Sequence, residues 1–281
     1  MKENKYYIFS DTAKLILAAI RDNKKNVSIS TDLNKSSGIL TIKENRIYFD
    51  NNNTLSENEL SSITKKQNRV FILEENKLRI LEYRNDNYYK LVPTNGAPTV
   101  EINGIKMHRS KNIDPFEDAR LKASQVVKKD NRVLDTCGGL GYTAIWSAML
   151  GAKIVVSTER SEYIQKLRKE NPWSEELFQK KIQLISTDIS KYITEFESES
   201  FDSIIHDPPR FSFAGNLYGE EFYKELYRVL VKNGNLFHYT GSPYIVRRGN
   251  SFSANAGERL KKAGFKNVIQ KHEILGVIAR K

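Results

Sequence analysis

One stretch constrains this chain more than any other: Val133-Leu134-Asp135-Thr136-Cys137-Gly138-Gly139-Leu140-Gly141-Tyr142-Thr143. An apolar run leads into a turn too rich in glycine for a helix or strand interior, and a helix pattern follows at once. Strand, glycine turn and helix N-terminus together make a nucleotide-type site at the carboxyl end of a parallel sheet. The spacing narrows what that site takes. Gly139-Leu140-Gly141 lacks the third glycine of the dinucleotide fingerprint and no Gly-Lys-Ser/Thr follows, so neither a pyrophosphate cradle nor a P-loop is spelled out.

The rest of the second half repeats the same alternation. Strand patterns fall at 132–135, 153–158, 182–186, 201–206, 234–239, 267–271 and 274–279, with helix patterns at 143–150, 161–170, 219–230 and 254–263. Alternation of this kind predicts an α/β fold with a mostly parallel, doubly wound sheet. No helix separates the last two strands, which predicts an antiparallel edge pair. The first half has a different texture, rich in Asn, Lys and Tyr with short strand-like runs. Ser10 or Asp11 is placed to cap a helix through Ile20, and Ser56-Glu57-Asn58-Glu59 reads as a capping box. The runs 70–73, 77–83 and 87–92 predict one small antiparallel meander. Pro93 to Pro98 punctuates the boundary, so the expected division is a small α+β domain over 1–95 and a second domain over 100–281.

The chain of 281 residues carries a formal charge of +11, and the excess lies at its two ends. Residues 1–100 hold 16 Lys/Arg against 12 Asp/Glu, residues 101–240 hold 20 against 20, and residues 241–281 hold 9 against 2. Such a distribution suits a polyanionic partner, RNA foremost, the plainer alternative being an ordinary solvated surface. Mean hydropathy is -0.55, no membrane span is expected, and Met1 to Tyr7 lacks the apolar core of a secretion signal. The expected location is the cytoplasm. The lone cysteine, Cys137, excludes a disulfide framework and a Cys-based zinc site; no metal is expected.

An acidic residue closing the first strand just before a Gly-x-Gly turn resembles motif I of the class I S-adenosylmethionine (SAM) methyltransferases. The resemblance implies SAM as cofactor in a Rossmann-like seven-stranded sheet. SAM brings a ribose diol, an adenine and an amino acid tail, and the chain offers acceptors in order. Glu159 closes the second strand and suits the ribose hydroxyls; Asp188, after the third, suits the adenine amino group. Asp114-Pro115 starts a helix whose Arg120 or Lys122 could meet the carboxylate of the tail. Candidate cofactor residues are therefore Asp114, Asp135, Cys137, Gly139, Gly141, Tyr142, Thr143, Glu159, Arg160, Asp188, Ile189 and Asp207.

His206-Asp207-Pro208-Pro209-Arg210-Phe211 lies at the end of the fourth strand. Two prolines remove two amide donors and stiffen the backbone, leaving Asp207 and nearby carbonyls as acceptors that can orient a nitrogen. This resembles the motif IV of methyltransferases that act on nucleic acid bases, although Arg210 stands where their aromatic residue does. Candidate catalytic residues are Asp207, Pro208, Pro209, Arg210 and Phe211. Phe211 or Phe213 could stack a base, and Arg247 and Arg248 could dock RNA. His206 and His238 sit at neighbouring strand ends, where the structural alternative is a pair of satisfied core histidines. Cys137 lies in the cofactor turn, which argues against covalent attack on a pyrimidine and for nitrogen acceptors.

Taken with Asn171-Pro172-Trp173-Ser174, Leu217-Tyr218-Gly219-Glu220-Glu221-Phe222-Tyr223 and Phe237-His238-Tyr239-Thr240-Gly241, residues 100–281 resemble a predicted archaeal methyltransferase family related to spermidine-synthase-like proteins. The resemblance implies SAM-dependent methylation of RNA, tRNA first among its kinds, with guanine N7 the favoured atom. The main alternatives are aminopropyl transfer to a polyamine from decarboxylated SAM, and a small-molecule or protein acceptor.

Overall fold

The computed structural model describes residues 4–241 and 252–281. It divides into two compact units, Met1–Pro115 with Lys169–Trp173, and Phe116–Arg168 with Ser174–Lys281.

The first unit holds three antiparallel sheets. β1 (Tyr6–Ile8), β6 (Phe71–Glu74) and β7 (Lys77–Ile80) form one, and β2 (Asn26–Ile29), β3 (Gly38–Lys43), β4 (Arg46–Tyr48) and β5 (Thr54–Ser56) the second. The third runs β11 (Ile105–Lys106), β10 (Thr99–Ile102), β9 (Tyr88–Val92), β8 (Glu82–Arg84). α1 (Ser10–Arg21) and α2 (Glu57–Thr64) bury Ile16, Ile20, Leu60 and Ile63 in a core with Ile8, Ile47, Leu55 and Leu73. The Ser56 capping box forms as its sequence dictates, Ser56 Oγ accepting from the Glu59 amide while the Glu59 carboxylate accepts from the Ser56 amide. α1 differs from expectation. Phe9, which has no polar group to cap with, occupies its N-cap, and the Ser10 hydroxyl donates to the Thr64 carbonyl. The expected meander also divides. Leu81, buried between β7 and β8, donates to Val70 and accepts from Leu91, so a run that looks continuous changes sheets at that residue. The hairpin β10–β11 pairs with β9, and the unit therefore reaches Pro115 rather than ending near residue 95.

The second unit is built on one seven-stranded sheet. Its strands are β12 (Arg132–Asp135), β13 (Ile154–Thr158), β14 (Ile182–Ile185), β15 (Phe201–His206), β16 (Leu230–Tyr239), β17 (Lys266–Lys271) and β18 (Gly276–Arg280). Their order is β14-β13-β12-β15-β16-β18-β17, parallel except for β18, which is antiparallel to both neighbours. Val133, Leu134, Val155, Val156, Ile204 and Ile205 are all buried, as expected of strands covered on both faces. The covering helices include α4 (Tyr142–Met149), α5 (Glu162–Glu170), α8 (Glu220–Val229) and α9 (Phe252–Lys262). α8 buries Phe222, Tyr223, Leu226 and Val229, one stripe at helical spacing. Strand order reverses direction at β12, between β13 on one side and β15 on the other. That is the switch point at whose carboxyl end an open α/β sheet leaves a crevice.

Candidate active site

The crevice is bounded by the ends of β12, β13 and β15. At β12, Asp135 is fully buried and accepts from the Thr143 hydroxyl at 3.0 Å and the Ser157 hydroxyl at 2.8 Å, tying strand to α4 and to β13. Burial pushes its carboxyl up to about 6, the two hydroxyls offsetting part of the shift. The glycine turn follows. A Cβ on Gly138 would meet Ser157 Oγ at 2.2 Å, and Gly141, at φ +88°, would drive one into Leu177. Both positions need glycine for closeness rather than flexibility alone. Gly141 is the N-cap of α4 and supplies no side-chain cap. Tyr142 is buried there against Phe116, ring centroids 5.5 Å apart.

Glu159, just past β13, turns back onto the glycine turn. One oxygen accepts from the Gly139 amide at 3.1 Å and the other from the Ser161 amide at 2.8 Å, and each keeps a second lone pair. Arg168 braces the same turn from below, donating Nε to the Gly139 carbonyl at 2.9 Å. Its Nη2 is buried with no hydrogen-bond partner. Asp188 caps the short helix α6 (Ile189–Tyr192) through the Ser190 amide at 3.0 Å, with Arg160 3.8 Å from its other oxygen. Ile189 is buried behind it. Asp114 belongs to the first unit, where its carboxylate accepts from the Ala97 amide at 2.7 Å.

Asp207 follows β15 and is held in a way its sequence does not disclose. Lys122, on α3 (Pro115–Ala123), donates to Asp207 Oδ2 at 2.7 Å, lies 2.9 Å from Asp118 Oδ2, and stacks 4.1 Å from the Tyr239 ring centroid. Burial works to lower the Lys122 pKa, but Asp207 and Asp118 outweigh it and hold the ammonium above an ordinary lysine. Lys122 is thereby committed within the crevice, and Arg120 is paired with Glu117 at 2.7 Å on the half-open face of α3. Neither of the two is left to meet a carboxylate as the sequence suggested. The Asp118-x-x-x-Lys122 spacing was visible as a helical pair; its link to Asp207, 85 residues on, was not.

The Pro-Pro turn is likewise partly occupied. The buried Tyr218 hydroxyl donates to the Pro209 carbonyl at 2.9 Å, so that carbonyl is less open as an acceptor than its sequence implied. Arg210 is exposed, Phe211 is 53% exposed beside Tyr218 and Phe252, and Phe213 is half-buried on α7 (Phe211–Ala214). His206 and His238 prove internal: His206 Nδ1 pairs with Thr136 Oγ1 at 2.7 Å and its Nε2 with the Leu217 carbonyl, while His238 Nε2 pairs with the Tyr223 hydroxyl at 2.7 Å. Burial brings His206 down to about 4 and His238 well below the usual range, which leaves both neutral. Burial and the nearby Glu159 push the Cys137 thiol up, so it is no nucleophile. Arg247 and Arg248 lie outside the described residues. Among the described residues no helix is long and apolar enough to cross a membrane.

Sheet order, switch-point crevice, glycine turn and strand-end acids define a class I SAM-dependent methyltransferase domain. Residues 153–276 match the model of a family described as S-adenosyl-L-methionine-dependent methyltransferase. The chain is 44% identical to the uncharacterized Methanocaldococcus jannaschii protein MJ1233 over 279 residues, 98% of this chain and 95% of that one. A shorter likeness, 33% over 121 residues, reaches ribosomal RNA large subunit methyltransferase I of an Enterobacter species, covering 40% of this chain and 30% of the relative. A crystal structure of spermidine synthase in complex with a transition state analogue shares the fold at TM-score 0.59 and 16% identity, over 74% of this chain and 77% of that one. The cofactor is S-adenosyl-L-methionine. The glycine turn leading into the N-terminus of α4 and the spare lone pairs of Glu159 are groups that fit it.

Proposed function

We propose that the protein methylates a base nitrogen of RNA, tRNA foremost, with guanine N7 the favoured atom. The carrying observation is that Asp207, just past β15, keeps one oxygen that accepts from no described residue, and that the chain four residues on carries an exposed aromatic ring, Phe211. An open acceptor together with a stacking surface suits a planar heterocycle, which is gripped by its face and oriented by its edge. The charge at the two ends of the chain suits the phosphate backbone, and the first unit, with its excess of Lys and Arg, is the docking domain in this reading.

S-adenosyl-L-methionine supplies an electrophilic methyl group when bound. Glu159 would hold its ribose hydroxyls, Asp188 and Ile189 its adenine, and the glycine turn with the start of α4 its amino acid tail. Asp207 and the Pro208-Pro209 turn orient the acceptor, Phe211 or Phe213 stacks it, and Arg210 meets a phosphate. Burial raises the Asp207 carboxyl, Lys122 offsets part of that shift, and Cys137 stays protonated, so no described side chain here is poised as a strong base or nucleophile. A ring nitrogen such as guanine N7, which enters with its own lone pair and loses no proton, asks only for such positioning.

Radiolabelled methyl transfer, with bulk RNA, polyamines and protein offered side by side, tests the reading. Label is expected in RNA. Label in polyamine or protein alone would replace it by one of the alternative acceptors.

A further inference from the structure

Asp118, Lys122 and Asp207 form a cluster of buried charge in the second unit's crevice. The Lys122 side chain is 4% exposed and that of Asp118 2%, whereas that of Asp207 is 20% exposed. Three charges taken out of water in this way are a poor means of stabilising a fold, since desolvation cancels most of the attraction. Their arrangement is asymmetric. Lys122 occupies Asp207 Oδ2, and Asp207 Oδ1 accepts from no described residue.

We infer that Lys122 is a positioning residue for methyl transfer: it clamps Asp207 Oδ2 and fixes Asp207 as an anion whose one open oxygen orients an N–H of the acceptor. The inference rests on the base-methylation reading above. A carboxylate so held accepts one hydrogen bond in one direction; protonated, it would offer a donor where an acceptor is needed. The neighbours make Lys122 decisive. Asp135, Cys137 and Tyr218 face Asp207, and Asp118 and Tyr239 face Lys122. Every one of those groups is negative or becomes so on titration; burial raises the Asp207 carboxyl, and Lys122, 2.7 Å from Oδ2, is the cation that works against that rise.

Infrared difference spectra of the full chain across the neutral range read the charge directly. The variants are Lys122→Met and the charge-balanced Lys122→Met/Asp118→Asn, which keeps the net charge of the cluster should the single variant fail to fold. Either is expected to show a protonated carboxyl band in addition to any that Asp135 gives in wild type, and the added band is expected to vanish when Asp207→Asn is introduced. Absence of that band in a variant with native circular dichroism would overturn the inference. In RNA methylation, the charge-balanced variant is expected to lose about a hundredfold in kcat, with SAM affinity unchanged and the acid limb of the rate profile moved upward. An unmoved limb would also overturn it, and a purely structural role would move stability but not that limb. If wild type transfers no methyl to RNA, the base-methylation reading falls, while the infrared band still decides whether Lys122 sets the charge of Asp207.

Discussion

Asp135 and Asp207 close adjacent parallel strands, β12 and β15, yet the two strand ends are built for opposite purposes. Asp135 is sealed, both oxygens spent on hydroxyls, with burial raising its carboxyl to about 6. Asp207 has one oxygen clamped by Lys122 and one that accepts from no described residue. In the proposed reading a strand-end acid serves either as a strut beside the glycine turn, as Asp135 does, or as a contact for the acceptor, as Asp207 does. The partners on other elements decide which, and the carboxylate itself does not.

The largest effect is expected where the open oxygen is removed. Asp207→Ala should lower methyl transfer by about a thousandfold while leaving SAM affinity within a few-fold, read by single-turnover transfer beside calorimetry. Equal loss of cofactor binding would make Asp207 a second strut and erase the contrast.

pH separates the two regions next. Asp135 binds its proton more tightly folded than unfolded, so its contribution is full below its ordinary range near pH 4 and is lost as pH rises through about 6. His206 does the reverse: its contribution is present above pH 6.5 and is lost as pH falls through about 4. The two slopes oppose each other in wild type. Asp135→Asn should therefore be more stable than wild type at pH 7, by up to about 3 kcal/mol, and the gain should vanish near pH 4, as measured by denaturant unfolding. A less stable variant at neutral pH would mean the charged carboxylate is needed by the fold.

Smaller effects belong to the turn between them. Glu159→Ala should weaken SAM binding by about a hundredfold, the worth of two charge-assisted hydrogen bonds, and calorimetry reads it. Gly141→Ala should cost roughly 1–2 kcal/mol of stability, because φ +88° disfavours any side chain and Leu177 fills the space. An unchanged thermal midpoint would show that the turn yields.

Sequence and structure agree most closely where local chemistry decides. The seven strands of the second unit, the antiparallel edge pair and the Ser56 capping box follow from periodicity and capping, which act within a few residues. What escaped was tertiary. The run 77–83 looks like one strand because nothing local marks Leu81 as the place where the chain passes from one sheet to another. Glu159 and Asp207 stand out as acids at strand ends, yet Lys122 joins Asp207 across 85 residues, and Tyr218 reaches Pro209 by packing rather than by pattern. Asp188 stands out in the sequence as an acid after a strand, and the structure displays it as the cap of α6.

The most direct measurement is mass spectrometry of nucleosides from tRNA incubated with the protein and SAM. The account predicts one methylated base, modified at nitrogen, that is absent when Asp207→Ala replaces wild type. Unmodified nucleosides, with the methyl group recovered on protein or a small amine, would contradict it.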